Sequence, residues 1–451
     1  MKFVLLWSDA LFFLLLAACL GGIWWARRNP QLAAAWRDVG RSRVGVAGAA
    51  VLLCFVAIAF LDSLHYRERL PQAPGVAEAQ AQFGIEVLSA LDALLAKQKT
   101  QTEKTYSAPL ATHLFAKESR SDGQGRDFPR LKFGGRHLGD AGDRDADVFK
   151  RVAGGAVGGL AAGLLLALVA RRYLRPRADW FAWNALLWTL TLILIGSGIL
   201  AALMPYYHVL GTDKVGQDVL YLTLKSVRTA LLIGTLTTLS MLPAALLLGI
   251  VAGYRGGWID DAIQYLYTVL NSIPGVLLIA ASILMMQVVI DTHPEWFSTA
   301  AERADARLLS LCVIMGVTSW TGLCRLLRAE TLKLRELEYV QAAQAFGVSG
   351  FSIMARHILP NVMHIVMISV VMDFSGLVLA EAVLSYVGIG VDPTTISFGT
   401  MINMARMELA REPMVWWSLV AAFCFMFVLV LAANLFADVV RDAFDPRGRA
   451  S

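Results

Sequence analysis

Glu338-Tyr339-Val340-Gln341-Ala342-Ala343-Gln344-Ala345-Phe346-Gly347, followed by Ile358-Leu359-Pro360-Asn361, is a polar stretch set between two long apolar segments. Arg325, Arg328, Lys333 and Arg335 precede it and Arg356 lies within it. A helical run, a glycine that permits a sharp turn, and a second short helix stopped by proline predict a compact helix-turn-helix. Basic residues beside apolar spans place that element on the cytoplasmic side of a membrane.

The rest of the chain agrees with a membrane setting. Hydrophobic residues make up 57% of the 451 positions and charged residues 17%, with a mean hydropathy of +0.57. Soluble chains of this size rarely reach such values. The net charge of +5 is modest, and its arginines cluster between apolar spans, a pattern that excludes nucleic-acid binding. All five cysteines fall within or beside apolar segments and no CxxC pair occurs, so neither a disulfide framework nor a thiolate metal site is expected.

A hydrocarbon core asks for about 20 apolar residues per helix. Nine stretches qualify, at roughly 3–26, 44–62, 152–170, 180–203, 228–253, 262–290, 307–324, 362–385 and 414–438. The first ends in Arg27-Arg28 rather than a small-residue cleavage site, and so reads as a retained span, although Asp9 inside it is costly. Placing every arginine-rich loop inside gives nine spans with the N-terminus outside and the C-terminus inside. The hydrophilic block 63–150 is then external, either as a partner site or as a passive insert. Ala77 to Lys99 has helix-forming composition, with Phe83, Val87, Leu91 and Leu94 at helical spacing. Gly134 to Leu165 faintly echoes Tyr207 to Leu239, and Asp143-Arg144-Asp145-Ala146-Asp147 imitates a calcium loop but lacks its glycine and its last glutamate.

Four motifs then occur in order. Leu210-Gly211-Thr212-Asp213-Lys214-Val215-Gly216-Gln217-Asp218-Val219 is a Gly/Asp turn leading into a helix. Ala252-Gly253-Tyr254-Arg255-Gly256-Gly257-Trp258-Ile259-Asp260-Asp261 makes a cytoplasmic turn, followed by Asn271-Ser272-Ile273-Pro274-Gly275, where Pro274 would kink a span. The third is the opening stretch. The fourth is Leu379-Ala380-Glu381-Ala382-Val383-Leu384-Ser385-Tyr386-Val387-Gly388-Ile389-Gly390, with Ser397-Phe398-Gly399 beyond it. Together they resemble the C-type permease subunits of dipeptide, oligopeptide and nickel ABC importers, and the third resembles the EAA loop that such subunits press into a partner ATPase. The likeness covers the last ~240 residues. Gln217 and Gln341 stand where the family has arginine and glutamate, and Ile396 and Phe398 replace its proline and tryptophan.

The resemblance implies an all-α polytopic membrane protein: a type I ABC importer permease core of six helices, with extra N-terminal spans and a large external insert. It implies N-terminal spans over 1–62, the insert over 63–150, two further spans over 151–204 and the permease core over 205–445, with the EAA loop at 336–361. Whether segment 44–62 or segment 180–203 plays the family's first core span stays open. ATPase coupling is expected through Gln341, Ala342, Ala343, Gly347, His357, Leu359 and Pro360. Asn271 and Pro274, with Asp373 and Glu381 in the eighth segment, are the candidates for the translocation path. Charges inside a bilayer are expensive and usually face a cavity or a partner, although Glu381 also reads as a local backbone cap. Implied partners are a heterologous second permease, two ATP-binding subunits and an external solute-binding protein, in a bacterial inner membrane. No cofactor is implied, and no Walker A sequence occurs, so ATP hydrolysis would fall to the partners.

Three rivals fare less well. A gradient-driven transporter predicts buried acids in both halves, a sensor needs an intracellular signalling module, and a membrane enzyme needs a converging polar cluster.

Overall fold

A computed structural model of the chain describes residues 2–69, 83–119, 126–139, 141–174, 180–297 and 299–444. The helices are α1 (Trp7–Arg28), α2 (Pro30–Arg41), α3 (Arg43–Asp62), α4 (Ala90–Leu94), α5 (Ala96–Thr100), α6 (Arg144–Val169), α7 (Trp183–Leu203) and α8 (Val219–Arg255). They continue with α9 (Gly257–Ser272), α10 (Gly275–Thr292), α11 (Ala300–Ser319), α12 (Thr321–Arg335), α13 (Glu338–Ala345), α14 (Gly350–Ile353), α15 (Leu359–Val387), α16 (Phe398–Glu408) and α17 (Trp417–Phe444). Among the described residues, nine helical segments are long and apolar enough to cross a membrane. Each falls on one of the nine apolar stretches of the sequence.

Three local expectations change. Segment 262–290 is not one kinked span: α9 ends at Ser272, Ile273 is extended, and Pro274 opens α10. A residue before proline is pushed out of the helical region, which ends α9 there. Pro360, by contrast, stops nothing. Helix runs from Gly350 to Val387, and a wide π-turn over Met354–Ile358 just ahead of Pro360 absorbs its missing amide. The stripe Phe83, Val87, Leu91, Leu94 is not one helix either. Phe83 bridges Arg69, Leu88–Ser89 is a strand, and only α4 and α5 are helical, while residues 77–82 lie outside those described.

The contacts form two compact units: Met1–Asp9, Trp25–Ala230 and Thr395–Phe436, and Ala10–Trp24, Leu231–Thr394 and Ala437–Ser451. In the first, a small antiparallel sheet pairs β1 (Lys2–Val4) with β2 (His65–Arg67) and β2 with β3 (Leu88–Ser89), so α1 begins at the end where α3 finishes. This explains the awkward Asp9. Its carboxylate, fully buried, accepts from Arg228 Nη2 at 2.6 Å and pairs with His65 Nδ1 at 2.7 Å. One turn earlier on α8, Lys225 reaches Asp92 at 2.7 Å and Asp62 at 3.3 Å, and Tyr221 donates to Asp92 at 2.8 Å. Tyr221, Lys225 and Arg228 thus form one stripe on α8 whose counter-charges come from α1, α3 and the insert. Ser89 and Asp92 close a capping box that fixes α4, so Asp92 is presented by a rigid turn.

The insert is fastened by a second buried cluster. Glu103 accepts backbone hydrogen bonds from Lys132, Phe133 and Gly134 at 2.8–3.1 Å. His208 lies between Asp218 (2.8 Å) and Glu103 (3.5 Å), and Asp218 also caps the start of α8 through Leu220 N–H. Burial alone would depress the His208 imidazole, but its two carboxylate partners outweigh this and hold it up at about 9, from 6.5. Burial opposes the ionisation of Glu103, but the nearby His208 imidazole and three backbone hydrogen bonds favour the carboxylate and bring its pKa from 4.5 down to about 2. The histidine's contribution to stability is therefore complete below pH 6.5 and lost as pH rises through about 9. Glu103's is complete above 4.5 and lost as pH falls towards 2. Thermal melts from pH 6 to about 9.5 should show the wild-type advantage over His208→Gln shrinking steadily as pH rises. A pH-independent difference would contradict the ion pairing.

Glycines decide how α6 meets α7. Gly155, Gly159 and Gly163 present a bare stripe to Gly198, to Leu194 and Ile195, and to Thr191. A Cβ at Gly155 would lie 2.8 Å from the Ile199 Cα, too close for any side chain, so the backbones touch. Nearby, Gly48 on α3 brings that helix against the backbone of Ala432 on α17.

Candidate functional site

In the second unit, α8, α12, α13 and α15 share a core that includes Met241, Ala245, Leu323, Leu327, Val340, Ile353, Ile358 and Val362. Val340, Ile353 and Ile358 are fully buried. They turn one side of the helix-turn-helix inward and leave the other side to solvent. Gly347 makes the turn with φ +76°, a left-handed geometry that costs a side-chain-bearing residue about 1–2 kcal/mol. Its own N–H bonds to Gln344 O, and Val348 N–H returns to Ala343 O, which closes α13 tightly.

The outward side carries Gln341, Ala342, Gln344, Ala345 and Phe346, with Ser349 and Phe351 beyond the turn. Phe346 is 88% exposed and Phe351 78%. Two aromatic rings beside small alanines form an apolar contact surface with nothing covering it. The amide of Gln341 turns back to Glu336 O at 3.3 Å, so the residue standing in the glutamate position makes a local bond here. Ala343 is half-buried, and so are His357 and Leu359; Pro360 is exposed on the π-turn side.

Two posts hold the loop on the spans. Tyr254, at the end of α8, receives Gln344 Nε2 on its hydroxyl at 3.3 Å and Arg335 Nη1 on its carbonyl at 3.4 Å, and its ring backs Gly350. Asn361 donates to Tyr339 Oη at 3.1 Å and to His357 O at 2.6 Å, which joins α13 to the base of α15. A third tie lies behind them, where Arg328 on α12 grips Asp260 on α9 with two short bonds, the longer 2.6 Å. Sequence reading missed Tyr254, Tyr339, Asn361, Phe346 and Phe351 as site residues. The two phenylalanines flanking a glycine in a polar loop were the available signal.

The residues considered for a path are less closely gathered. Asn271, exposed at the end of α9, accepts from Thr321 Oγ1 at 3.0 Å, and Pro274 is exposed at the break that follows. Glu381 is buried and receives Ser385 Oγ at 2.7 Å; Ser385 Oγ in turn meets Val391 N–H at 3.4 Å past the left-handed Gly388. That carboxylate is engaged in closing the end of α15. Asp373, midway along α15, is half-exposed and makes no hydrogen bond or ion pair among the described residues. At the far end of the unit, Arg307 ties Asp291 (2.7 Å) to Asp392 (2.6 Å).

Residues 245–450 match the family model described as "Binding-protein-dependent transport system inner membrane component". The oligopeptide transport system permease protein OppC of Mycobacterium tuberculosis is 31% identical over 299 residues, which cover 63% of this chain and 95% of that protein. The dipeptide transport system permease protein DppC of Lactococcus lactis is 30% identical over 240 residues (53% of this chain, 64% of that one). The glutathione transport system permease protein GsiD of Pectobacterium atrosepticum is also 30% identical over 240 residues (53% and 73%).

Proposed function

The chain belongs to the family of inner-membrane components of binding-protein-dependent transport systems, and from that premise we propose that it conducts short peptides inward through a path shared with a second, different permease. It is a multi-pass permease subunit of the inner membrane and not itself the ATPase; permeases of this kind work with a partner permease, an ATPase and a solute-binding protein. The peptide class comes from its relatives, which are named for oligopeptide, dipeptide and glutathione transport.

The observation that carries the mechanism is the uncovered apolar side of the helix-turn-helix, with Phe346 and Phe351 outermost. Two ATP-binding subunits, one under each permease, would seat these rings and the alanines beside them. Closure of the ATPase pair then pushes α13, and the push passes through Tyr254 to α8 and through Asn361 to α15. The states interconvert only because the ATPases contact them differently. Along the path we place the exposed helix break at Ile273–Pro274 and the Asp373 carboxyl at mid-span, which has no hydrogen-bond or ion-pair partner among the described residues. Glu381 holds the end of α15 rather than facing cargo. The contacts of α3 with α17 and with the start of α8 favour α3 as the first core helix, and leave α6–α7 as an added hairpin.

Proteoliposomes containing this chain, its partner permease, the ATPases and the binding protein should accumulate a labelled tripeptide only with ATP inside the compartment facing the loop. Asp373→Asn should slow uptake severalfold while leaving the melting temperature unchanged. ATP-independent uptake that follows a proton or sodium gradient would overturn the reading.

A further inference from the structure

The amphipathic helix α2 fills the short connection between α1 and α3 and carries charge that neither the coupling loop nor the path uses. Its Ala35, Val39 and Gly40 face protein. Gly40 admits the rings of Trp180 and Phe181, and the Ala182 N–H bonds to Gly40 O at 2.9 Å. Trp180, Phe181 and Trp183 stack edge-to-face in sequence, forming an aromatic shelf at the start of α7. Arg37 and Arg41 lie on the opposite, exposed side of α2, and Arg27, Arg28 and Arg43 flank it, all exposed.

A second source of charge ends at the same place. Because α6 runs antiparallel to α7, with Gly155 beside Gly198 and Gly163 beside Thr191, its last turn runs to the end of the hairpin at which α7 begins. That turn exposes Arg171 and Arg172. Seven arginines therefore gather at one end of this unit. In the described stretches that hold them, the only acid is Asp38, spent on Arg41 at 3.3 Å. The shelf of tryptophans beside them has the chemistry of headgroup depth, and the arginines that of phosphodiesters, which a guanidinium grips with two parallel bonds.

We propose that α2, the last turn of α6 and the Trp180–Trp183 shelf form a binding surface for anionic phospholipid headgroups of the inner leaflet. The occupant is a bilayer lipid and not a soluble anion, because the arginines are spread along a helix lying between two spans rather than converging on one enclosed cradle. Their retention as an exposed array beside aromatic anchors is what an anionic surface complements. Each arginine held near such a surface strengthens association about fivefold.

The test uses the full chain in nanodiscs of equimolar phosphatidylglycerol and phosphatidylcholine, with native mass spectrometry of the lipids it retains after release. The wild type should retain phosphatidylglycerol in clear excess. Arg37→Gln/Arg41→Gln, two exposed positions, should cut that excess at least tenfold with an unchanged melting temperature, and Arg37→Lys/Arg41→Lys should keep most of it. An equal excess in the glutamine variant would overturn the proposal and leave these arginines a role in setting topology alone. Displacement of the lipid from the wild type by millimolar inorganic phosphate would overturn it in favour of a small-anion site.

Discussion

Arg228→Leu should be among the most damaging single substitutions in this protein, lowering stability by about 3–5 kcal/mol. The guanidinium is the nearest partner of Asp9, a carboxylate with no solvent exposure, at 2.6 Å, and it also donates to Ser8 at 3.0 Å and Ser63 at 3.2 Å. Removing it leaves His65 alone to face the buried charge. The cost arises from the stranded acid more than from the lost bond, so Asp9→Leu added to Arg228→Leu should recover much of the loss. Melting of the two variants in nanodiscs, with recovery from membranes as a second readout, checks this. A double variant no more stable than the single one would show that the network acts through packing and not through charge.

Gly159→Leu should disrupt the α6–α7 hairpin as strongly. A side chain there meets the Leu194 carbonyl and the Ile195 backbone, which cannot rotate aside as a flexible side chain would. Overpacking a tight contact costs about 1–3 kcal/mol, and more where two backbones must part. The control is built into the helix, since a Cβ at Gly158 meets nothing within 4 Å. Gly158→Leu should melt like the wild type while Gly159→Leu melts well below it. Equal behaviour of the two leucine variants would place the seam elsewhere.

The spans were legible because length and hydropathy alone specify them, and the loop was legible because Gly347 and its flanking helix-forming residues are contiguous. What escaped was set by partners far away in the chain. Asp9 looks like a defect in a span until Arg228, 219 residues later, reaches it. Pro274 was expected to kink a span and Pro360 to stop a helix, and neither does so. Pro274 follows an extended Ile273 and starts a helix, whereas Pro360 is carried inside one by the π-turn before it. Asp373 and Glu381 share helical spacing, but Ser385 lies one turn beyond Glu381 and engages it, a difference in local chemistry that spacing does not encode. The glycine stripe of α6 was present in the sequence at four-residue intervals, and its meaning depended on which helix lay opposite.

The most direct test of energy transfer through residues 336–361 is co-purification of the chain with its ATPase subunits from membranes, followed by ATP turnover. Three forms suffice: wild type, Gly347→Arg, and Phe346→Asp/Phe351→Asp. The phenylalanines are exposed and the space around Gly347 is open, so neither change should unfold the chain. The wild type should bring down the ATPase with turnover stimulated by binding protein and peptide. The phenylalanine variant should melt near the wild-type temperature and Gly347→Arg modestly below it, from its left-handed φ, and both should come down without the ATPase. A wild type that purifies alone with the ATPase present in the lysate, or a doubly charged variant that retains full stimulated turnover, would contradict coupling through this loop.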